Sequence, residues 1–186
     1  SSDGTFAIGD VNNDGNDDLV IGMFSFPDPE KGWIYDSKSI LLTFDPKTKT
    51  YKPDLNYIQE IGAAIVTRRA EIEDFNGDGL KDIYIANPGS DGHGFPDCGG
   101  HNTMVLQTPQ GWKNVDAQLP QVSDYTHGLT SADFNQDGKA DILALNMPLN
   151  AGKKACGDTW DGSSASYFLG NLEGETFEKL DVKIKA

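Results

Sequence analysis

The pattern Asp-x-Asn-x-Asp-Gly-x-x-Asp occurs three times in the chain, and this repetition restricts the fold more than any other feature of the sequence. The copies occupy residues 10–18, 74–82 and 133–141. They are spaced by about sixty residues, which is the length of a supersecondary unit and far longer than a low-complexity tract. The sequence therefore predicts three repeats of one structural unit.

Each copy lies among short apolar runs that are typical of β-strands. One run precedes the pattern, at residues 6–9, 70–73 and 129–132, and one follows it, at residues 19–21, 83–85 and 142–144. A third run comes after a variable polar stretch, at residues 40–42, 104–106 and 167–169, and a turn then leads to an aromatic residue, Tyr51, Trp112 or Phe177. No stretch keeps apolar residues at helical spacing for three turns. Each unit is thus predicted to be a four-stranded antiparallel sheet.

Such sheets are the blades of a β-propeller. We expect an all-β fold in which residues 1–186 form a single propeller segment of three blades, near residues 5–60, 62–120 and 125–183. Propellers typically have about four to eight blades, so three blades do not close a ring. The open ends are expected to be covered by a homo-oligomer, or by additional blades from the same or another chain.

At this point the sequence resembles the integrin-type FG-GAP, or VCBS, repeat family. Members of this family read as an apolar strand, then D-F-N-G-D-G-x-x-D, then a second apolar strand, and residues 74–83 read D-F-N-G-D-G-L-K-D-I. The resemblance extends over nearly the whole chain. The resemblance implies a module for extracellular adhesion or recognition. Such a module is expected to be secreted or on the cell surface, or to lie in the periplasm. The alternative is a propeller that is part of a carbohydrate-active enzyme such as a polysaccharide lyase.

The repeated pattern has the chemistry of a calcium site. Calcium takes about six to eight oxygen ligands, and positions one, three and five of a tight loop converge on one point. The predicted ligands are side chains at positions one, three, five and nine and the backbone carbonyl at position seven. These are Asp10, Asn12, Asp14, Asn16 and Asp18 in the first loop, Asp74, Asn76, Asp78, Leu80 and Asp82 in the second, and Asp133, Asn135, Asp137, Lys139 and Asp141 in the third.

Three other interpretations of the loops fit the residues less well. An EF-hand requires a Glu at position twelve and a helix on each side. The chain has Ile21, Ile85 and Ala144 there, inside predicted strands, so the EF-hand is rejected. Magnesium fits less well because it prefers a near-ideal octahedron and keeps several waters. The remaining alternative is that the loops are turns that merely connect hairpins. The recurrence of the full pattern in three copies disfavours this alternative.

The long connections between the second and third strands carry the candidate recognition residues. These are Trp33, Tyr35, Phe95 and Trp160, and exposed aromatic side chains can stack on sugar rings or anchor a protein partner. The alternative is that they fill gaps between blades. Cys98 and Cys156 occupy nearly equivalent places in successive units, so a disulfide between them is one possibility and free thiols are the other.

Composition excludes two classes of partner. The chain has 15 Lys and Arg against 29 Asp and Glu, a net charge of −14, which repels phosphate backbones and anionic membrane surfaces. We expect no nucleic acid partner. No apolar run is long enough for a membrane helix, so no membrane insertion is predicted. No catalytic triad or phosphate-binding motif is present, and no catalytic residue is predicted.

Overall fold

Short β-branched and aromatic segments form strands on either side of each acidic loop. The computed structural model describes residues 5–23, 27–28, 32–33, 38–62, 66–89, 100–119, 125–146, 166–169 and 178–180. In chain order the strands are β1 (Thr5–Gly9), β2 (Asp18–Gly22), β3 (Pro27–Asp28), β4 (Gly32–Trp33), β5 (Ile40–Asp45), β6 (Thr50–Pro53), β7 (Arg69–Glu73), β8 (Asp82–Ala86), β9 (Thr103–Thr108), β10 (Gly111–Asn114), β11 (Thr126–Ala132), β12 (Asp141–Asn146), β13 (Ser166–Leu169) and β14 (Glu178–Leu180).

The strands assemble into three four-stranded antiparallel sheets. Their orders are β1-β2-β5-β6, β7-β8-β9-β10 and β11-β12-β13-β14, and we call them blade 1, blade 2 and blade 3. β3 and β4 form a separate two-stranded ribbon. The all-β fold and the three four-stranded units predicted from the sequence are confirmed. No closed barrel forms among the described residues, and ring completion stays a prediction.

The blades pack face to face. Between blades 1 and 2, Val20 and Leu41 of blade 1 contact a cluster that includes Ile83, Ile85 and Val105 of blade 2. Between blades 2 and 3, a second cluster joins Tyr84 and Met104 of blade 2 to Ile142 and Ala144 of blade 3. Because successive strand residues point to opposite faces, β8 supplies both clusters and is buried throughout. We call the side of a blade that faces the preceding blade its leading face, and the opposite side its trailing face.

A short helix was not anticipated from the sequence. Helix α1 spans Leu55–Glu60, and the side chain of Asp54 caps it by accepting from the backbone N–H groups of Asn56 and Tyr57. Tyr57 is fully buried and lies edge-on to the Trp112 ring of blade 2, with ring centroids 5.5 Å apart. Trp112 also donates from Nε1 to Asp54 Oδ2 at 3.0 Å. The helix therefore ties blade 1 to blade 2.

A single turn of 3₁₀-helix, Asp116–Gln118, follows β10 at the corresponding place in blade 2. Asp116 Oδ1 accepts from the Met104 backbone N–H at 2.7 Å, which fixes this turn to β9. In the described part of the chain, no helix is both long and apolar enough to cross a membrane.

Candidate metal loops

Each acidic loop connects the first two strands of its blade. Residues 10–18 join β1 to β2, residues 74–82 join β7 to β8, and residues 133–141 join β11 to β12. The loops therefore emerge at equivalent positions of three similar sheets. The strand on either side is the context predicted from the sequence, in contrast to the helices that flank an EF-hand loop.

Backbone N–H groups orient the acidic side chains of the second loop. Asp74 accepts from the backbone N–H groups of Asp78, at 3.1 Å to Oδ1, and of Gly79, at 2.8 Å to Oδ2. Asn76 Oδ1 accepts from the Asp78 N–H at 2.8 Å, and Asp78 Oδ1 accepts from the Leu80 N–H at 2.8 Å. The side chains at positions one, three and five are thereby folded into the loop, and their orientation is set by the backbone.

The same pattern recurs in the other two loops. At position one, Asp10 accepts from the N–H groups of positions five and six at 3.0 and 2.8 Å, and Asp133 does so at 3.0 and 2.9 Å. At position three, Asn12 and Asn135 accept from the position-five N–H at 3.0 and 2.9 Å. The glycine at position six has a positive φ in all three loops, 83°, 86° and 89°, which an L side chain rarely adopts. The loops are thus one local structure built three times.

The ninth aspartate has a second role that sequence reasoning missed. Asp82 is fully buried, and its Oδ2 accepts from the Phe75 backbone N–H at 3.0 Å while its Oδ1 accepts from the Gln107 N–H at 2.9 Å. Asp18 binds the N–H groups of Val11 and Phe44 in the same way, at 3.0 and 2.8 Å. The carboxylate therefore links its loop to the third strand of its blade. An Asp that directly precedes a buried strand is the only signal of this role in the sequence.

Negative charge accumulates around these buried carboxylates. The pKa of Asp82 is raised to about 7, chiefly by burial and to a smaller extent by repulsion from Asp78 and Asp74, although hydrogen bonds from Gln107 and Phe75 act in the opposite direction. Burial is also the main cause that raises the pKa of Asp18. A nearby cation would offset both the burial cost and the repulsion.

The side-chain oxygens of the loops have the chemistry that a hard cation prefers. Among the described residues, no group of three or more His, Cys, Asp or Glu side chains is placed to hold a metal ion. The carboxylates at position one accept from backbone N–H groups. A carboxylate oxygen has about two lone pairs, and the Asp74 oxygens that accept from Asp78 and Gly79 keep acceptor capacity after these bonds are made. The oxygen chemistry therefore fits a hard cation.

Adjacent loops contact one another. Asn13 of the first loop donates from Nδ2 to the Gly79 carbonyl of the second loop at 3.3 Å. The Ala140 N–H of the third loop donates to the Asp74 carbonyl at 3.0 Å. These hydrogen bonds link the loops of neighbouring blades directly.

The candidate recognition residues lie largely outside the described residues. Only the backbone of Trp33 is described, at the end of β4. Tyr35, Phe95 and Trp160 fall outside, as do Cys98 and Cys156. Their surroundings and the proposed disulfide are consequently untested.

Three antiparallel four-stranded sheets, each with an Asp/Asn loop between its first two strands, fit the blades of a β-propeller. Residues 74–144 match the family model described as the FG-GAP-like repeat, and this segment includes the second and third acidic loops. The predicted resemblance is confirmed over this segment, which is similar to that repeat. No curated protein matches the chain.

Proposed function

We propose that the chain is a calcium-binding FG-GAP/VCBS-type module in which calcium has a structural role. The observation that carries the proposal is the hydrogen-bond pattern shared by the three loops, in which backbone N–H groups orient the oxygen-bearing side chains at positions one, three and five. A loop that only reversed the chain direction would need the glycine but not three acidic or amide side chains at these positions.

The first loop would hold calcium through the side chains of Asp10, Asn12, Asp14 and Asp18 and the carbonyl of Asn16, and the other loops through the corresponding residues. The backbone N–H donors that orient position one act like the outer hydrogen bonds of other metal sites, which fix the orientation of ligands. The bound cation supplies positive charge that offsets the repulsion among the carboxylates. Metal binding and folding are therefore expected to be coupled.

Calorimetric titration of the chelator-treated chain with calcium tests the proposal, and three equivalents are expected to bind. Asp14→Ala should remove one equivalent, because it deletes a proposed ligand of the first loop. Asp17→Ala is the matched control, since Asp17 is an exposed acid in the same loop at a position that is not a proposed ligand. No heat of binding in the unsubstituted chain, or an equal loss in both variants, would refute calcium ligation by these residues.

We further propose that the module works outside the cytoplasm in adhesion or recognition, with a glycan or a protein as ligand. The support is the repeat class together with the aromatic residues Trp33, Tyr35, Phe95 and Trp160 in long connections, which are common positions for recognition on rigid scaffolds. Trp160→Ala is expected to lower binding in a glycan array or a partner screen by about tenfold, the effect of losing one aromatic anchor. Tyr51→Ala, which changes an exposed aromatic of blade 1, is the control. Equal binding by all three proteins would contradict a role for that loop.

A further inference from the structure

The sequence contains a single Asn-Gly pair, Asn76-Gly77, at positions three and four of the second acidic loop. The corresponding pairs are Asn12-Asn13 in the first loop and Asn135-Gln136 in the third. Because glycine has no Cβ, it is the residue that least obstructs a contact between its own backbone nitrogen and the preceding side chain. Steric access from the backbone to the side-chain amide is therefore greatest in the second loop.

The backbone conformation of position four does not by itself require this glycine. Asn13 and Gln136 have positive φ there, 57° and 62°, as Gly77 does at 76°. A Cβ on Gly77 would lie 3.0 Å from Cγ of Lys139 in the third loop, so the glycine lets the two loops pack closely. The glycine thus serves the contact between loops, and it leaves an Asn-Gly pair in an exposed segment.

We propose that Asn76-Gly77 is a site of spontaneous deamidation and that the folded loop holds the reaction back. The Gly77 backbone nitrogen bonds to Asn76 Cγ, the Cγ–Nδ2 bond breaks, and the side-chain amino group leaves as ammonia with the Gly77 proton. The product is a cyclic succinimide. Water then opens the ring at one of its two carbonyl carbons and gives aspartate or isoaspartate, so that no oxidant or cofactor is needed.

Both reacting groups are engaged in the folded loop. The Gly77 N–H donates to Asp74 Oδ1 at 2.7 Å, and the negative charge of this carboxylate disfavours loss of the proton. Asp78 holds the Asn76 amide at both ends: Asn76 Oδ1 accepts from the Asp78 N–H at 2.8 Å, and Asn76 Nδ2 donates to Asp78 Oδ2 at 3.0 Å. The attack therefore requires these bonds to break, and its rate follows the population of the open loop.

The two products change the loop in different ways. Aspartate adds a negative charge beside Asp74 and Asp78. Isoaspartate adds one main-chain atom between positions three and four, within the segment that the bonds from the Asp78 and Gly79 N–H groups to Asp74 close. Deamidation thus alters the loop that hydrogen-bonds to both neighbouring loops.

Peptide mapping by mass spectrometry, in chelator and at mildly alkaline pH, tests the site. The increase of about 1 Da that marks deamidation is followed in the folded chain and in concentrated urea. In urea, Asn76 should react at least about tenfold faster than Asn12 and Asn135, because only Asn76 precedes a glycine. In the folded chain, Asn76 should react at least about tenfold more slowly than in urea. Equal rates at the three asparagines in urea, or at Asn76 in the two states, overturn the proposal.

Substitutions separate protection by the loop from reactivity of the pair. Asp74→Ala removes the acceptor of the Gly77 N–H and should raise the rate at Asn76 in the folded chain by about tenfold. Asp10→Ala is the matched control, because it removes the equivalent carboxylate of the first loop and should leave the rate at Asn76 unchanged.

Circular dichroism verifies that these variants are folded. If Asp74→Ala is unfolded, Asp74→Asn decides instead, because it keeps an acceptor oxygen without the charge and should give a smaller rise. Asn13→Gly creates the same pair in the first loop and should make Asn12 react in urea as fast as Asn76. An unchanged rate at Asn76 in the folded position-74 variant, or no reaction at Asn12 in Asn13→Gly, contradicts the proposal.

Discussion

Asp82→Ala is expected to lower the free energy of unfolding of the calcium-free protein by about 3 kcal/mol, the cost of leaving two buried donors without an acceptor. The Asp82 carboxylate accepts from the backbone N–H groups of Phe75 and Gln107 inside the packed interior. Alanine removes both acceptors, so both buried N–H groups lose their partner. Part of the loss is offset because the buried charge, with its raised pKa, is removed as well. Urea denaturation in the presence of a chelator measures the difference.

Two comparisons separate this role from metal ligation. Asp82→Asn keeps one acceptor oxygen and should cost less than Asp82→Ala. Asp78→Ala changes an exposed side chain of the same loop and should alter stability without metal by under about 1 kcal/mol. A loss for Asp78→Ala as large as that for Asp82→Ala would contradict the assignment of the ninth aspartate as the link between loop and third strand.

The pH dependence of the stability tests the raised pKa of Asp82. Its pKa in the folded chain is about 7, against an ordinary value of 3.8, so the folded state binds the extra proton between these values. The contribution of this group to stability is therefore fully present below about pH 4 and is lost as the pH rises through 7. In chelator, the stability of the unsubstituted protein should fall over this window, and Asp82→Asn should show a smaller fall. An unchanged slope in Asp82→Asn would contradict the raised pKa.

Removing calcium is expected to lower the melting temperature by about 15–30 °C, which corresponds to about 8 kcal/mol for a domain of this size. The magnitude follows from three proposed sites, each contributing about 2.7 kcal/mol when calcium is at about 100 times its Kd. The physical cause is that the calcium-free loops keep carboxylates such as Asp74, Asp78 and Asp82 close together without neutralisation. Differential scanning calorimetry with excess calcium and with chelator measures the shift.

The matched control replaces the position-five ligand in every loop. A variant with Asp14→Asn, Asp78→Asn and Asp137→Asn should melt at nearly the same temperature with and without calcium. Chelator in the presence of excess magnesium should leave the unsubstituted protein destabilised if the loops discriminate against the smaller ion. Equal melting temperatures of the unsubstituted chain in calcium and in chelator would refute a structural role for calcium.

The sequence by itself determined the local structure of the repeat. The loop conformation depends on neighbours within nine residues: a glycine at position six with positive φ, and side chains at positions one, three and five that accept from N–H groups two to five residues ahead. The β-branched and aromatic runs beside the loops predicted the strands, and the structure places them within a few residues of the predicted bounds. These features could be predicted because both periodicity and turn chemistry are short-range properties.

Only the tertiary structure decided the features that depend on distant residues. The bond from the Gln107 N–H to Asp82 and the contact of Trp112 with Asp54 and Tyr57 join segments that are remote in sequence. The burial of Phe75 arises in the same way, because Phe75 packs in the cluster between blades 2 and 3, whereas Phe134 at the equivalent loop position is 46% exposed. The local sequence determines which side chains lie on a face of a sheet. Whether those side chains are buried depends on which distant segments pack against that face.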